Sequence, residues 1–133
     1  MIASLPMYDT AATRAGNDAF WHNIRAVMGE GPQDLDRDSD PHQSWLDPAL
    51  LFSQTCGLPL RTELLNRVTM IGTPDYNVDG CPPGYYCSRV VVRGDDPRQG
   101  LADYNGATLA RNDKRSQSGW AAIENHLVET DVP

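Results

Sequence analysis

Asn112-Asp113-Lys114-Arg115-Ser116-Gln117-Ser118-Gly119-Trp120 is the stretch on which the fold reading turns. Just before it, residues 108–111 form a short strand-like run. Just after it, Trp120, Ile123 and Leu127 share one face of a helix expected over 116–128. A strand feeding a helix through a polar turn is the building unit of an α/β fold. The turn also carries chemistry. The first N–H groups of a helix have no partner within it, and the helix dipole adds positive potential there. With the hydroxyls of Ser116 and Ser118 beside those amides, and Gly119 allowing close backbone approach, the turn suits a tetrahedral oxyanion. A plain serine N-cap would use the same residues and is the common alternative.

Residues 1–8 read as an opening strand closed by Asp9-Thr10. Phe20, Ile24, Val27 and Met28 then fall on one helical face, with Gly16 and Ala19 behind them. Asp9, Thr10 or Thr13 is placed to cap that helix, and Gly29 and Gly31-Pro32 to stop it. The acidic stretch 30–40 is expected to be a surface loop. Within it, Asp34-Leu35-Asp36-Arg37-Asp38 lacks the spacing of a calcium loop and reads as a solvated bend. Asp40-Pro41-His42-Gln43 looks like a capped helix start interrupted by Asp47-Pro48. Further strands are expected at 50–56, 68–72, 85–93 and 108–111, and helical turns at 61–66 and 101–104. Residues 129–133 read as a polar tail.

This alternation predicts an α/β fold with a mostly parallel sheet. In such sheets ligands lie beyond the carboxyl ends of the strands. Tyr8, the cluster Ser53-Gln54-Thr55 and Tyr85 are expected at such places. Each also has an ordinary use, as a surface aromatic or a strand-end turn.

Composition narrows the partners. A formal net charge of −7 makes nucleic acid an unsuitable partner, because phosphate backbones require clustered Lys and Arg. It does not argue against a small anion held by backbone amides. No apolar run reaches the ~20 residues of a membrane span. The start, Met1-Ile2-Ala3-Ser4-Leu5, has no leader pattern. As written this places the chain in the cytoplasm, or in the periplasm if a leader has been removed. Three cysteines, Cys56, Cys81 and Cys87, are an odd count and argue against a pure disulfide framework. They are expected as free thiols, with a Cys56–Cys81 contact open if their strands are neighbours. No CxxC pair or His cluster is present, so neither a metal nor a cofactor is expected.

Three segments carry a family resemblance. They are Leu50-Leu51-Phe52-Ser53-Gln54-Thr55-Cys56-Gly57; Gly84-Tyr85-Tyr86-Cys87-Ser88-Arg89-Val90-Val91-Val92-Arg93-Gly94-Asp95-Asp96-Pro97; and Leu101-Ala102-Asp103-Tyr104-Asn105-Gly106-Ala107-Thr108-Leu109-Ala110, which runs into Asn112-Asp113 and Ser116-Gln117-Ser118-Gly119. Through them the chain resembles the phosphate/phosphonate (PhnD-like) substrate-binding components of ABC transporters, a branch of the type II periplasmic binding proteins. The Ser-x-Ser-Gly at a helix start is the most specific match. The resemblance implies a three-layer lobe I over residues 1–93, and a hinge with the start of lobe II over 94–133. It implies Ser116, Gln117 and Ser118 as anion contacts and Tyr85 as a further ligand contact. Gln117 departs from the Thr frequent in the family, and the family's other first-lobe tyrosine falls near Ser53.

Family members are longer, so the second lobe would be incomplete, and an uncovered apolar face would favour a homodimer. The resemblance implies a small phosphate- or phosphonate-like oxyanion as ligand and an ABC transporter permease as partner, with no catalysis. Two other readings stand beside it. One is a ligand-free dimerising remnant or sensor. The other is an enzyme with Cys56 as nucleophile and His22, His42 or His126 as base.

Overall fold

The computed structural model describes residues 1–130. Residues 131–133, the end of the expected polar tail, lie outside the described residues. The chain falls into two compact units, Met1–Thr69 and the residues from Met70 onward.

The first unit holds β1 (Ile2–Ser4), α1 (Arg14–Met28), α2 (Pro41–Leu46), β2 (Leu50–Ser53) and α3 (Gly57–Thr62). The two strands pair in parallel, with Ile2 opposite Leu50, Ala3 opposite Phe52 and Ser4 opposite Ser53, and the register shifts between Ile2 and Ala3. Both strands are shorter than the expected 1–8 and 50–56. Pro6 has no N–H to offer a ladder, and Tyr8 turns the chain with a φ of 62°. After Ser53 the chain reaches Cys56, which begins α3, so the helical turn expected at 61–66 starts earlier.

The core of this unit is Ala3, Leu5, Trp21 and Leu35, with Ile24, Leu51 and Phe52 packed against it. Trp21 has no exposed surface, whereas Phe20, expected on the inner face of α1, is 54% exposed. The face is therefore rotated by one residue. The indole accounts for this: it stacks on Phe52 with centroids 5.7 Å apart, and its N–H donates to the Pro32 carbonyl at 3.1 Å. An aromatic with a polar edge is buried at low cost when that edge finds an acceptor. Gly31 is required beside it. Its φ is 119°, and a Cβ there would stand 3.0 Å from the Trp21 ring and 3.1 Å from Leu51.

Local signals for the helix ends are met. Gly29 closes α1 with a φ of 76° and an N–H bond to the Arg25 carbonyl. Asp40 caps α2 by accepting the Gln43 N–H at 3.0 Å, with Pro41 at the first helical position.

The second unit holds a 3-10 turn (Leu101–Tyr104), one turn of wider π-type helix (Gln117–Ala121) and α4 (Ala122–Glu129). The strands expected at 68–72, 85–93 and 108–111 do not form, and among the described residues the sheet has two strands only. An extended segment without a neighbour has no ladder to stabilise it. Among the described residues Ala121 is the sole buried apolar side chain of this unit, and Val91 is 85% exposed.

The fold class is thus α/β, with a two-stranded parallel sheet and four α-helices among the described residues. No helix among the described residues is long and apolar enough to cross a membrane.

Candidate functional site: the turn at the start of the last helix

Ser116 is extended, with φ −79° and ψ 125°, and the chain then turns at once into helix. The Ser116 hydroxyl accepts the Gly119 N–H at 2.9 Å. The Ser116 carbonyl accepts the N–H groups of Trp120 and Ala121 at 3.2 and 3.1 Å, and the Gln117 carbonyl accepts that of Ala122. These longer-range bonds open the first turn beyond the α-helical radius. Gly119 is held close to Asn112, and a Cβ at Gly119 would collide with the Asn112 carboxamide oxygen. That oxygen also accepts the Asp113 N–H at 2.9 Å. The loop before the helix is therefore folded onto it.

Two arginines neighbour the turn. The Arg111 guanidinium sits over the Trp120 ring, 4.1 Å from its centroid, on a residue that is otherwise exposed. Arg115 pairs with Asp113 at 3.5 Å. The Arg115 N–H, followed by its guanidinium, holds the Asp113 carboxyl below its usual range. A second segment reaches the same turn, since the Ser88 hydroxyl donates to the Ser118 carbonyl at 3.3 Å across a separation of 30 residues. Tyr85, three positions before Ser88, is 68% exposed.

The remaining sequence-derived candidates belong to the first unit. Tyr8 is 61% exposed, and its carbonyl accepts the Thr13 hydroxyl and the Thr10 N–H. The Ser53 and Ser4 hydroxyls share a hydrogen bond of 2.8 Å. The Trp45 indole N–H donates to both the Ser53 hydroxyl and the Gln54 carbonyl, each at 3.1 Å. The Thr55 hydroxyl donates to the Cys56 carbonyl at 3.4 Å. Gln54 keeps a buried side-chain oxygen with no partner among the described residues. These bonds tie β2 to β1 and to α2. They bring Ser53, Gln54 and Ser4 together, while Tyr85, Ser116, Gln117, Ser118 and Gly119 lie in the other unit.

The first unit also has a cleft of about 250 Å³ at the carboxyl end of β1, lined by Ser4, Leu5, Asp9, Arg14, Arg37 and Ser44 among others. Its charges are already matched. Arg37 bonds Asp9 at 2.8 Å and Asp18 at 2.7 Å, and Asn17 donates to Asp9 at 2.9 Å. Arg37, then Asn17, holds the Asp9 carboxyl below its usual range, and the two carboxylates raise Arg37. The solvated bend expected at 34–38 is corrected here. Leu35 enters the core, and Arg37 is three-quarters covered by the ion-pair network.

His42 is bonded to the Glu63 carboxylate, and His22 and His126 lie on α1 and α4. Among the described residues no group of three or more His, Cys, Asp or Glu side chains is placed to hold a metal ion. No protein-family model matches this chain, and neither a curated protein nor a solved structure matches it.

Proposed function

We propose that the chain binds a small tetrahedral oxyanion of the phosphate or phosphonate class at the turn Ser116–Gly119. In this reading it is a solute-binding component of an ABC-type transport system, built on part of a three-layer type II periplasmic-binding-protein architecture. Residues 1–93 then correspond to lobe I and 94–133 to the hinge and the start of lobe II. The observation that carries the reading is the Ser88–Ser118 hydrogen bond. It joins two segments that bear the family likeness at the start of the last helix, where the helix dipole adds positive potential. A π-type first turn, Gln117–Ala121, supports the same reading, because such turns recur at functional sites.

The geometry refines the roles. The Ser116 hydroxyl is committed to the Gly119 N–H, which makes Ser116 a positioning residue. Ser118 then supplies hydroxyl and backbone N–H to the anion, Gln117 contributes through its backbone N–H, and Arg111 on Trp120 adds positive potential. The exposed run Val90-Val91-Val92 supports a homodimer, since a second copy pairing there would give these residues a ladder.

Titration calorimetry of the full chain with inorganic phosphate and with methylphosphonate tests this. Saturable binding of one of the two is expected, weakened at least tenfold in Ser118→Ala, a loss of about 1.4 kcal/mol or more. No heat and no thermal shift with either anion would leave the ligand-free dimerising remnant as the better account.

A further inference from the structure

Cys81 and Cys87 bracket a loop, residues 81–87, whose backbone is shaped by Pro82, Pro83 and Gly84. Gly80 and Gly84 take φ values of 78° and 77°, a region that L side chains rarely adopt. The Cys81 N–H bonds the Val78 carbonyl and the Tyr85 N–H bonds the Pro82 carbonyl, each at 3.0 Å, so two turns follow one another. The Asp75 carboxylate accepts the N–H groups of Asn77 and Gly84 and holds the base of the loop. This path brings the loop's two ends together. The turn Pro82–Tyr85 doubles the chain back between Cys81 and Cys87, and the two side chains come close enough to act on each other. Cys87 is exposed and Cys81 half-buried, while Cys56 sits at the start of α3 in the other unit.

We propose that Cys81 and Cys87 are a dithiol–disulfide pair, closed by exchange with a disulfide oxidant of the glutathione class. The exposed Cys87 loses its proton and its sulfur attacks the oxidant's S–S bond. A mixed disulfide forms, and one oxidant thiol leaves with a proton from solvent. Cys81 then loses its proton and attacks the Cys87 sulfur, expelling the second oxidant thiol and forming Cys81–S–S–Cys87. The protein gives up two hydrogen atoms in all, and one oxidant disulfide becomes two thiols.

The first attack falls to Cys87 because it is the open thiol. Burial, followed by the neighbouring Cys87, pushes the Cys81 thiol up, with the Arg89 guanidinium partly offsetting this, so ring closure accelerates as pH rises. Closure also stiffens the segment that carries Tyr85 and leads into Ser88. The pairing stands whether or not the turn at Ser116 binds an anion.

The full chain, purified reduced, is incubated with mixed oxidised and reduced glutathione. Thiols are then counted in denaturant, and peptides are mapped without reduction. The titratable thiols are expected to fall from three to one, with Cys81 joined to Cys87 and Cys56 remaining a thiol. In Cys87→Ser, two thiols are expected to survive the same treatment. A bridge to Cys56, a bridge between chains, glutathione adducts without ring closure, or an unchanged count of three would each overturn the proposal. So would loss of both thiols in Cys87→Ser.

Discussion

Leu50-Leu51-Phe52 and Val90-Val91-Val92 are both short apolar runs that read as strands, yet one forms a sheet and the other does not. The valine run has the higher intrinsic β preference, so propensity does not explain the difference. Leu50–Ser53 has β1 alongside it for hydrogen bonding, and Trp21 stacked on Phe52 to cover its face. Residues 90–92 have neither among the described residues, and all three side chains are more than half exposed. What decides a strand here is the neighbour and the lid. The contrast extends to the whole units: Met1–Thr69 closes around a fully buried tryptophan, and among the described residues from Met70 onward the buried apolar side chain is one alanine.

Removing the lid should have the largest effect. Trp21→Ala is expected to cost about 3–5 kcal/mol of stability, through lost burial, a cavity and an abandoned N–H bond. Denaturant unfolding followed by circular dichroism measures it. A cost under about 1 kcal/mol would mean that the first unit is not held by this core.

Hydrogen exchange reads the same contrast without mutation. Amides of β1 and β2 are expected to exchange through the global opening of the first unit, while at high dilution those of Val90–Val92 exchange with an opening free energy of about 0–1 kcal/mol. Protection of Val90–Val92 that rises with protein concentration would show that a second copy supplies the missing neighbour. Strong protection at high dilution would break the contrast.

The smallest effect belongs to the surface of the first unit. Arg37→Ala is expected to cost about 1 kcal/mol, because the pair with Asp9 is partly exposed. The folded-state carboxyl of Asp9 is lowered, so its contribution is complete above its unfolded value, about 3.9, and is lost as pH falls through the lowered folded value. The gap between wild type and Arg37→Ala should therefore be full at neutral pH and should close in acid. A gap that stays constant through that acid range would assign the effect to packing of the arginine stem.

What the sequence made legible was local. Asp40-Pro41 announces α2 because a cap and its helix are adjacent in the chain, and Gly29 announces the end of α1 for the same reason. The serine-rich turn at the start of the last helix is legible on the same terms. The choice between Phe20 and Trp21 was not, because both are aromatic and adjacent, and only Phe52 and the Pro32 carbonyl decide between them. Arg37 reads as solvated until Asp9 and Asp18 are brought to it from 28 and 19 residues away. At the candidate site, the packing of Asn112 against Gly119 and the bond from Ser88 to Ser118 depend on tertiary folding, and no local pattern encodes them.

The proposed function requires an anion at the start of the last helix. Backbone amide resonances of the full chain, followed while methylphosphonate and then phosphate are added, test this directly. The amides of Gln117 and Ser118 are expected to shift saturably with one of the two anions, and that response should be lost in Ser118→Ala. Saturable shifts confined to the cleft beside Asp9 and Arg37, or no saturable shift at Gln117 and Ser118 with either anion, would contradict it.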